Sequence, residues 1–226
     1  MSNIGACVFD AYGTLFDVNA AAREVAEQPG RETFALVWQQ VAIDWRTKTL
    51  QYTWLRTITG DYVDFWQITQ DALDWALAAS DQADPELREL LLGLFWSLKS
   101  YPDVPHVLAE LQRRGIPAAI LSNGTPEMIE AAVESAGVAS LLSAMLTVDP
   151  LARYKPSREV YDLVTHEFDL PPGDVLFVSS NGWDVAGAAR YGFRTLWVNR
   201  VGEPVDRLTG QPDRIAADLT AVPEML

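Results

Sequence analysis

The stretch Ile4-Gly5-Ala6-Cys7-Val8-Phe9-Asp10-Ala11-Tyr12-Gly13-Thr14-Leu15-Phe16-Asp17 decides the reading of the chain. Ile4 to Phe9 is an apolar run that halts at Asp10 and gives way to Tyr12-Gly13-Thr14. A run this short, closed by a turn, reads as a strand buried on both faces, as parallel sheets require. The same grammar returns in Ala118 to Leu121 before Ser122-Asn123-Gly124, in Val175 to Val178 before Ser179-Ser180-Asn181-Gly182, and in Thr195 to Val198 before Asn199. Met145 to Val148 is a weaker fifth case. Helical segments fill the intervals: Pro105 to Arg114 closed by Gly115, Pro126 to Ala136 closed by Gly137, and Ser157 to Phe168 ended by Pro171-Pro172. Strands alternating with helices of this length predict an α/β fold with a doubly wound, Rossmann-like parallel sheet.

One stretch breaks the alternation. Val18 to Leu98 has helical patterning and no convincing buried strand, and it holds Trp38, Trp45, Trp54, Trp66, Trp75 and Trp96. It is expected to form an all-helical cap of four helices, with Gly60-Asp61 and Ala83-Asp84-Pro85 as breaks. The expected division is a core domain of residues 1–17 and 99–226 and a cap domain of residues 18–98.

Composition bounds the function. With 226 residues, 49% of them hydrophobic, the chain can bury a sizeable core. Its 17 Lys+Arg against 31 Asp+Glu give a formal charge of −14, which excludes nucleic-acid and anionic-membrane partners, since both need a basic face. An anionic ligand must therefore be held by local cations against the overall field. The single Cys7 rules out an internal disulfide and is expected to be a buried, inert thiol. MSNIGACVFD lacks the pattern of a secretory leader, and no stretch approaches the ~18 apolar residues of a membrane span, so a cytoplasmic location is expected.

In an open parallel sheet, ligands bind beyond the carboxyl ends of the strands. Asp10 and Thr14, Ser122 and Asn123, and Ser179, Asn181 and Asp184 should converge there, with Lys155 joining from the start of a helix. A carboxylate, a lysine, hydroxyls and an amide, without a Cys/His cluster, suit covalent chemistry at an aspartate. The two histidines, His106 and His166, are far apart and expected on helix surfaces. There is no G-x-G-x-x-G and no G-x-x-x-x-G-K phosphate loop.

These residues also carry a family resemblance. Phe9 to Asp17 resembles the nucleophile motif of the haloacid dehalogenase superfamily; Leu121-Ser122-Asn123-Gly124, Tyr154-Lys155-Pro156 and Ser179 to Asp184 resemble its second, third and fourth motifs. Within it the chain looks like the L-2-haloacid dehalogenases, a likeness that Trp45-Arg46-Thr47-Lys48 and Tyr52-Thr53-Trp54-Leu55-Arg56 extend into the cap. The magnesium phosphatases and phosphonatases of the superfamily are the alternative, but they carry acids where this chain has Tyr12 and Ser180.

The resemblance implies hydrolysis of small L-2-haloacids, with no metal and no cofactor, by a homodimer. It assigns Asp10 as nucleophile, Lys155 as its counter-ion, and Asp184 as the group that positions or deprotonates water, oriented by Lys155, Ser179 and Asn181. Arg46 and Asn123 would meet the halide or the substrate carboxylate, with Arg56 as the competing cation. Ser122 and the backbone around Thr14 would receive the carboxylate. Tyr12, Leu50, Phe65 and Trp183 would line the apolar pocket, and Tyr161 would support Lys155.

Overall fold

The structure is a computed structural model and describes residues 4–226. The first three residues, placed above in the core domain and in the leader-free N-terminal stretch, lie outside it.

The buried runs form strands where the sequence places them: β1 (Ala6–Phe9), β2 (Ala118–Ser122), β3 (Ala144–Thr147), β4 (Val175–Ser179) and β5 (Arg194–Val198). A sixth, β6 (Arg214–Ala216), joins the far edge. All pair in parallel, in the order β3-β2-β1-β4-β5-β6. β6 escapes the sequence reading because it is three residues long, is only partly covered and presents no apolar run. β1 lies between β2 and β4, so the strand order reverses beside it, and the crevice that doubly wound sheets use for ligands opens at its end.

Helices α1 (Ala20–Ala26), α2 (Glu32–Ala35), α3 (Trp38–Thr59), α4 (Phe65–Ala79) and α5 (Pro85–Trp96) lie between β1 and the next core helix. That is one more than expected, because Glu32–Ala35 makes a single separate turn. α3 contains neither proline nor glycine and runs until Gly60, which takes the left-handed conformation at φ +72°. It buries Val41, Ala42, Trp45, Thr49 and Thr53, a stripe close to fourfold spacing. The two threonines fit a buried face because Thr49 Oγ1 donates to the Trp45 carbonyl at 2.8 Å and Thr53 Oγ1 to that of Leu50 at 2.7 Å. Asp64 and Asp84 cap α4 and α5 by accepting from the Gln67 and Glu86 amides. The buried Trp45 indole donates to the Thr69 carbonyl at 2.8 Å, locking α3 onto α4, and Trp66 and Trp96 pack edge to face.

This helical stretch leaves and rejoins the sheet at one neck. Asp17 N–H donates to the Lys99 carbonyl at 3.0 Å and Tyr101 N–H to that of Leu15 at 2.9 Å. The remaining helices, α6 (Val104–Arg113), α7 (Pro126–Ser135), α8 (Arg158–Phe168) and α9 (Gly182–Tyr191), cover the sheet.

Cys7 sits on the central strand with no exposure, and burial pushes its thiol pKa up strongly. A thiol reagent should therefore find no group in the native protein and one per chain after denaturation. Rapid stoichiometric labelling of native protein would mean that β1 is not held as described.

Candidate active site

β1 delivers Asp10. Its amide makes one more ladder-like bond, to the Val178 carbonyl at 2.9 Å, and the chain then turns so that Leu15 and Phe16 N–H both donate to the Ala11 carbonyl. The turn brings Thr14 back over the carboxylate. Asp10 Oδ2 accepts from Thr14 Oγ1 at 2.9 Å, from Asn181 Nδ2 at 2.9 Å and from Ser179 Oγ at 3.4 Å. Asp10 Oδ1 accepts from Lys155 Nζ at 3.0 Å. Three residues at or just beyond the end of β1 or β4 thus converge on one oxygen, and a lysine before α8 reaches the other.

Lys155 is the buried centre of the site. Its backbone N–H donates to Asn123 Oδ1 at 3.0 Å, which ties it to the loop after β2. Its ammonium has no exposure and lies between Asp10 Oδ1 and Asp184 Oδ2, the latter at 2.9 Å. Burial alone would lower the lysine pKa; the two carboxylates beside it more than offset that and hold it above the usual value. Asp184, in the first turn of α9, accepts from Tyr161 Oη at 2.7 Å on its other oxygen. Burial pushes its carboxyl up, with Lys155 opposing and Asp10 adding to the rise.

Above Asp10 lies a cavity of about 70 Å³ between the sheet end and the inserted helices, with Tyr12, Phe65, Trp45 and Phe95 among its apolar walls. Tyr12 stacks on Phe65 and on Phe95 at 5.6 and 5.5 Å. Burial first, and then the Asp10 charge, raise the Tyr12 phenol pKa, so it stays protonated. Arg46 enters from α3 and donates through Nη2 to Asn181 Oδ1 at 2.7 Å. It can do so because position 13 is glycine: a Cβ there would lie 2.8 Å from Arg46 Nη1, and the backbone φ is +85°.

The structure brings most of the expected residues together and places a few elsewhere. Asp10, Tyr12, Arg46, Leu50, Phe65, Asn123, Asn181 and Trp183 line the cavity. Thr14, Ser179, Lys155, Asp184 and Tyr161 form the layer behind Asp10. Ser122 Oγ is turned into its own loop, accepting the Gly124 amide at 3.0 Å, and the Thr14 amide bonds the Ala11 carbonyl at 3.3 Å. Arg56, near the C-terminal end of α3, is away from the cavity, paired with Asp61 at 3.1 Å and Asp71 at 3.7 Å. Both histidines are exposed on helices. The sequence reading misses Val18, Asn19, Ala42, Trp45, Thr49 and Phe95 as cavity residues. Ala42, Trp45 and Thr49 could have been found, since helical spacing puts them on the face of α3 that presents Arg46.

With this geometry in view, the relatives are informative. A family model described as haloacid dehalogenase-like hydrolase matches residues 4–192. The chain is 40% identical to an (S)-2-haloacid dehalogenase of Pseudomonas sp. (strain YL), across 100% of this chain and 95% of that protein. It is 37% identical to (S)-2-haloacid dehalogenase 1 of Pseudomonas sp. (strain CBS-3), across 100% and 98%. It superposes on the L-2-haloacid dehalogenase of Xanthobacter autotrophicus with chloropropionic acid covalently bound, with TM-score 0.88, 33% identity and 98% of each chain covered. Likeness over the whole length, joined to a site gathered around Asp10, makes this chain a member of the haloacid dehalogenase-like hydrolases, on the (S)-2-haloacid dehalogenase branch.

Proposed function

We propose that the protein hydrolyses small L-2-haloalkanoic acids to D-2-hydroxyalkanoic acids and halide through an ester at Asp10, with inversion at C2 and without a metal. The observation that carries this reading is a buried carboxylate held by Lys155, Thr14 and Asn181 at the floor of a largely apolar cavity. A cavity of about 70 Å³ has room for about five waters, the size of a two- or three-carbon haloacid. The helices of residues 18–98 act as a cap over it.

Asp10 Oδ1 carries one hydrogen bond against three on Oδ2, so it keeps the lone pair for attack on C2. The carbon–halogen bond breaks as the ester forms, and the halide departs without a proton. The Arg46 guanidinium and the Asn123 amide receive the departing anion or the substrate carboxylate, each in a place where a desolvated anion needs a donor. Ester formation removes the Asp10 charge and leaves Lys155 with Asp184 alone. Asp184, its basicity raised by burial, orients and deprotonates the water that attacks the Asp10 carbonyl carbon. The covalently bound chloropropionic acid in the Xanthobacter enzyme fits this route.

A magnesium phosphatase is the alternative on this scaffold, and the donor set does not suit it. Mg²⁺ takes hard oxygen ligands at close range. Asp10 and Asp184 are already bridged by the Lys155 ammonium, and Tyr12 and Ser180 stand where further acids would be needed. Two further expectations belong to the same reading. Leu36, Ile43, Leu55 and Ile58, exposed on the cap, offer an apolar face for a homodimer. The lone reduced thiol suits a cytoplasmic enzyme.

The covalent route is tested in H₂¹⁸O with enzyme in excess. The first turnover should give product largely free of label and place ¹⁸O in the peptide containing Asp10. Labelled product with an unlabelled peptide would mean that water attacks C2 directly. Dialysis against EDTA should leave halide release unchanged; loss restored by Mg²⁺ would favour the phosphatase-type site. Arg46→Lys should cut turnover about 100-fold, because the shorter, non-planar cation cannot hold both Asn181 and an anion. Arg56→Ala should leave turnover near that of the unmodified enzyme, as expected for an exposed ion pair, and the reverse pattern would move the cap cation to Arg56.

A further inference from the structure

Just past the carboxyl end of β5, Arg200 follows Asn199 and faces away from the cavity. Its Nη2 donates to the Thr14 carbonyl at 3.0 Å and to Asp103 at 3.1 and 3.2 Å. Its guanidinium carbon lies 3.9 Å from the centroid of the Tyr101 ring. Asp103 is itself fixed, accepting the Leu219 amide at 2.8 Å, and Tyr101 belongs to the neck through its bond to Leu15. The side chain is largely buried, with 17% exposure, so this ion pair is not a freely solvated surface contact.

Thr14 is therefore gripped at two points. Its hydroxyl accepts the Ser180 amide at 2.7 Å and donates to Asp10 Oδ2, while its carbonyl is held by Arg200. Gly13, immediately before it, has the left-handed φ that makes a natural pivot for the peptide. Arg46 packs against Gly13 from the cap side and Arg200 holds the loop from the core side. Release of the carbonyl would let the loop turn about Gly13 and draw the threonine hydroxyl off the carboxylate.

We infer that Arg200 is a positioning residue for the reaction: by holding the Thr14 carbonyl it sets the Thr14 hydroxyl on Asp10 and so aims the nucleophile. It touches neither the cavity nor the reacting atoms, and it acts through Thr14. The inference rests on the assignment of Asp10 as the group that attacks.

The test is a kinetic cycle with 2-chloropropionate, reading free halide. Arg200→Met should lower kcat about 10- to 100-fold, as a misaimed nucleophile does, and leave KM nearly unchanged. Arg200→Lys, which keeps a donor near the carbonyl but loses the planar contact with Tyr101, should recover much of that loss. In a Thr14→Val background, Arg200→Met should cost nothing further, since the hydroxyl that Arg200 positions is gone. If Arg200→Met fails to fold, Arg200→Gln, which removes the charge and the planar contact with Tyr101 but keeps a polar side chain, takes its place in the cycle with the same expected outcome. Three results would each overturn the inference: unchanged kcat in a folded Arg200→Met, a rise in KM at constant kcat, or losses at Thr14 and Arg200 that simply multiply. If Asp10 instead fails the ¹⁸O test in the unmodified enzyme, the covalent reading falls while the coupling between Thr14 and Arg200 is still measured.

Discussion

Everything in this molecule is arranged around one ammonium group between two carboxylates. Asp10, Lys155 and Asp184 bring two carboxylates and one ammonium together in a largely buried place, where an isolated ion would be several kcal/mol out of place. The excess negative charge is met by dipoles. Thr14, Ser179 and Asn181 donate to Asp10, Tyr161 donates to Asp184, and Asp184 lies in the first turn of α9, where the helix dipole favours a carboxylate. The arrangement holds the Asp10 carboxylate in one orientation at the floor of an apolar cavity.

Topology makes the arrangement possible. β1 and β4 are neighbours where the strand order reverses, and their carboxyl ends bring Asp10 and the Ser179–Asp184 loop together. The loops after β2 and before α8 complete the ring through one bond, from Lys155 N–H to Asn123 Oδ1. The inserted helices then add a further side of the cavity, from which α3 brings in the Arg46 guanidinium.

Much of this is legible in the sequence because the physics is local. A buried strand that must stop at a polar residue announces both its own length and the position of its functional end, which is why Asp10, Ser122 and Ser179 can be placed from sequence alone. The helical breaks at Gly60 and Asp84 are legible for the same reason, since each shows its own capping chemistry. Direction is what the sequence does not carry. Nothing in Leu121-Ser122-Asn123-Gly124 says that the serine hydroxyl closes its own loop while the asparagine reaches Lys155. Arg46 and Arg56 lie ten positions apart on one helix, and only the three-dimensional packing shows which faces the core. Arg200 is invisible for a different reason: its partners, Thr14 and Asp103, come from distant parts of the chain and none of the three belongs to a common pattern.

The enclosure of Lys155 has a consequence for how ions of the medium act on the enzyme. With no exposure, this ammonium contributes to the inner site and little to the field that an approaching molecule meets, which is dominated by the formal charge of −14. Mobile ions screen exposed charges beyond about 8 to 10 Å at ordinary salt, but they cannot enter the space between Lys155 and its carboxylates. Salt therefore eases the arrival of an anionic ligand and leaves the bound chemistry alone.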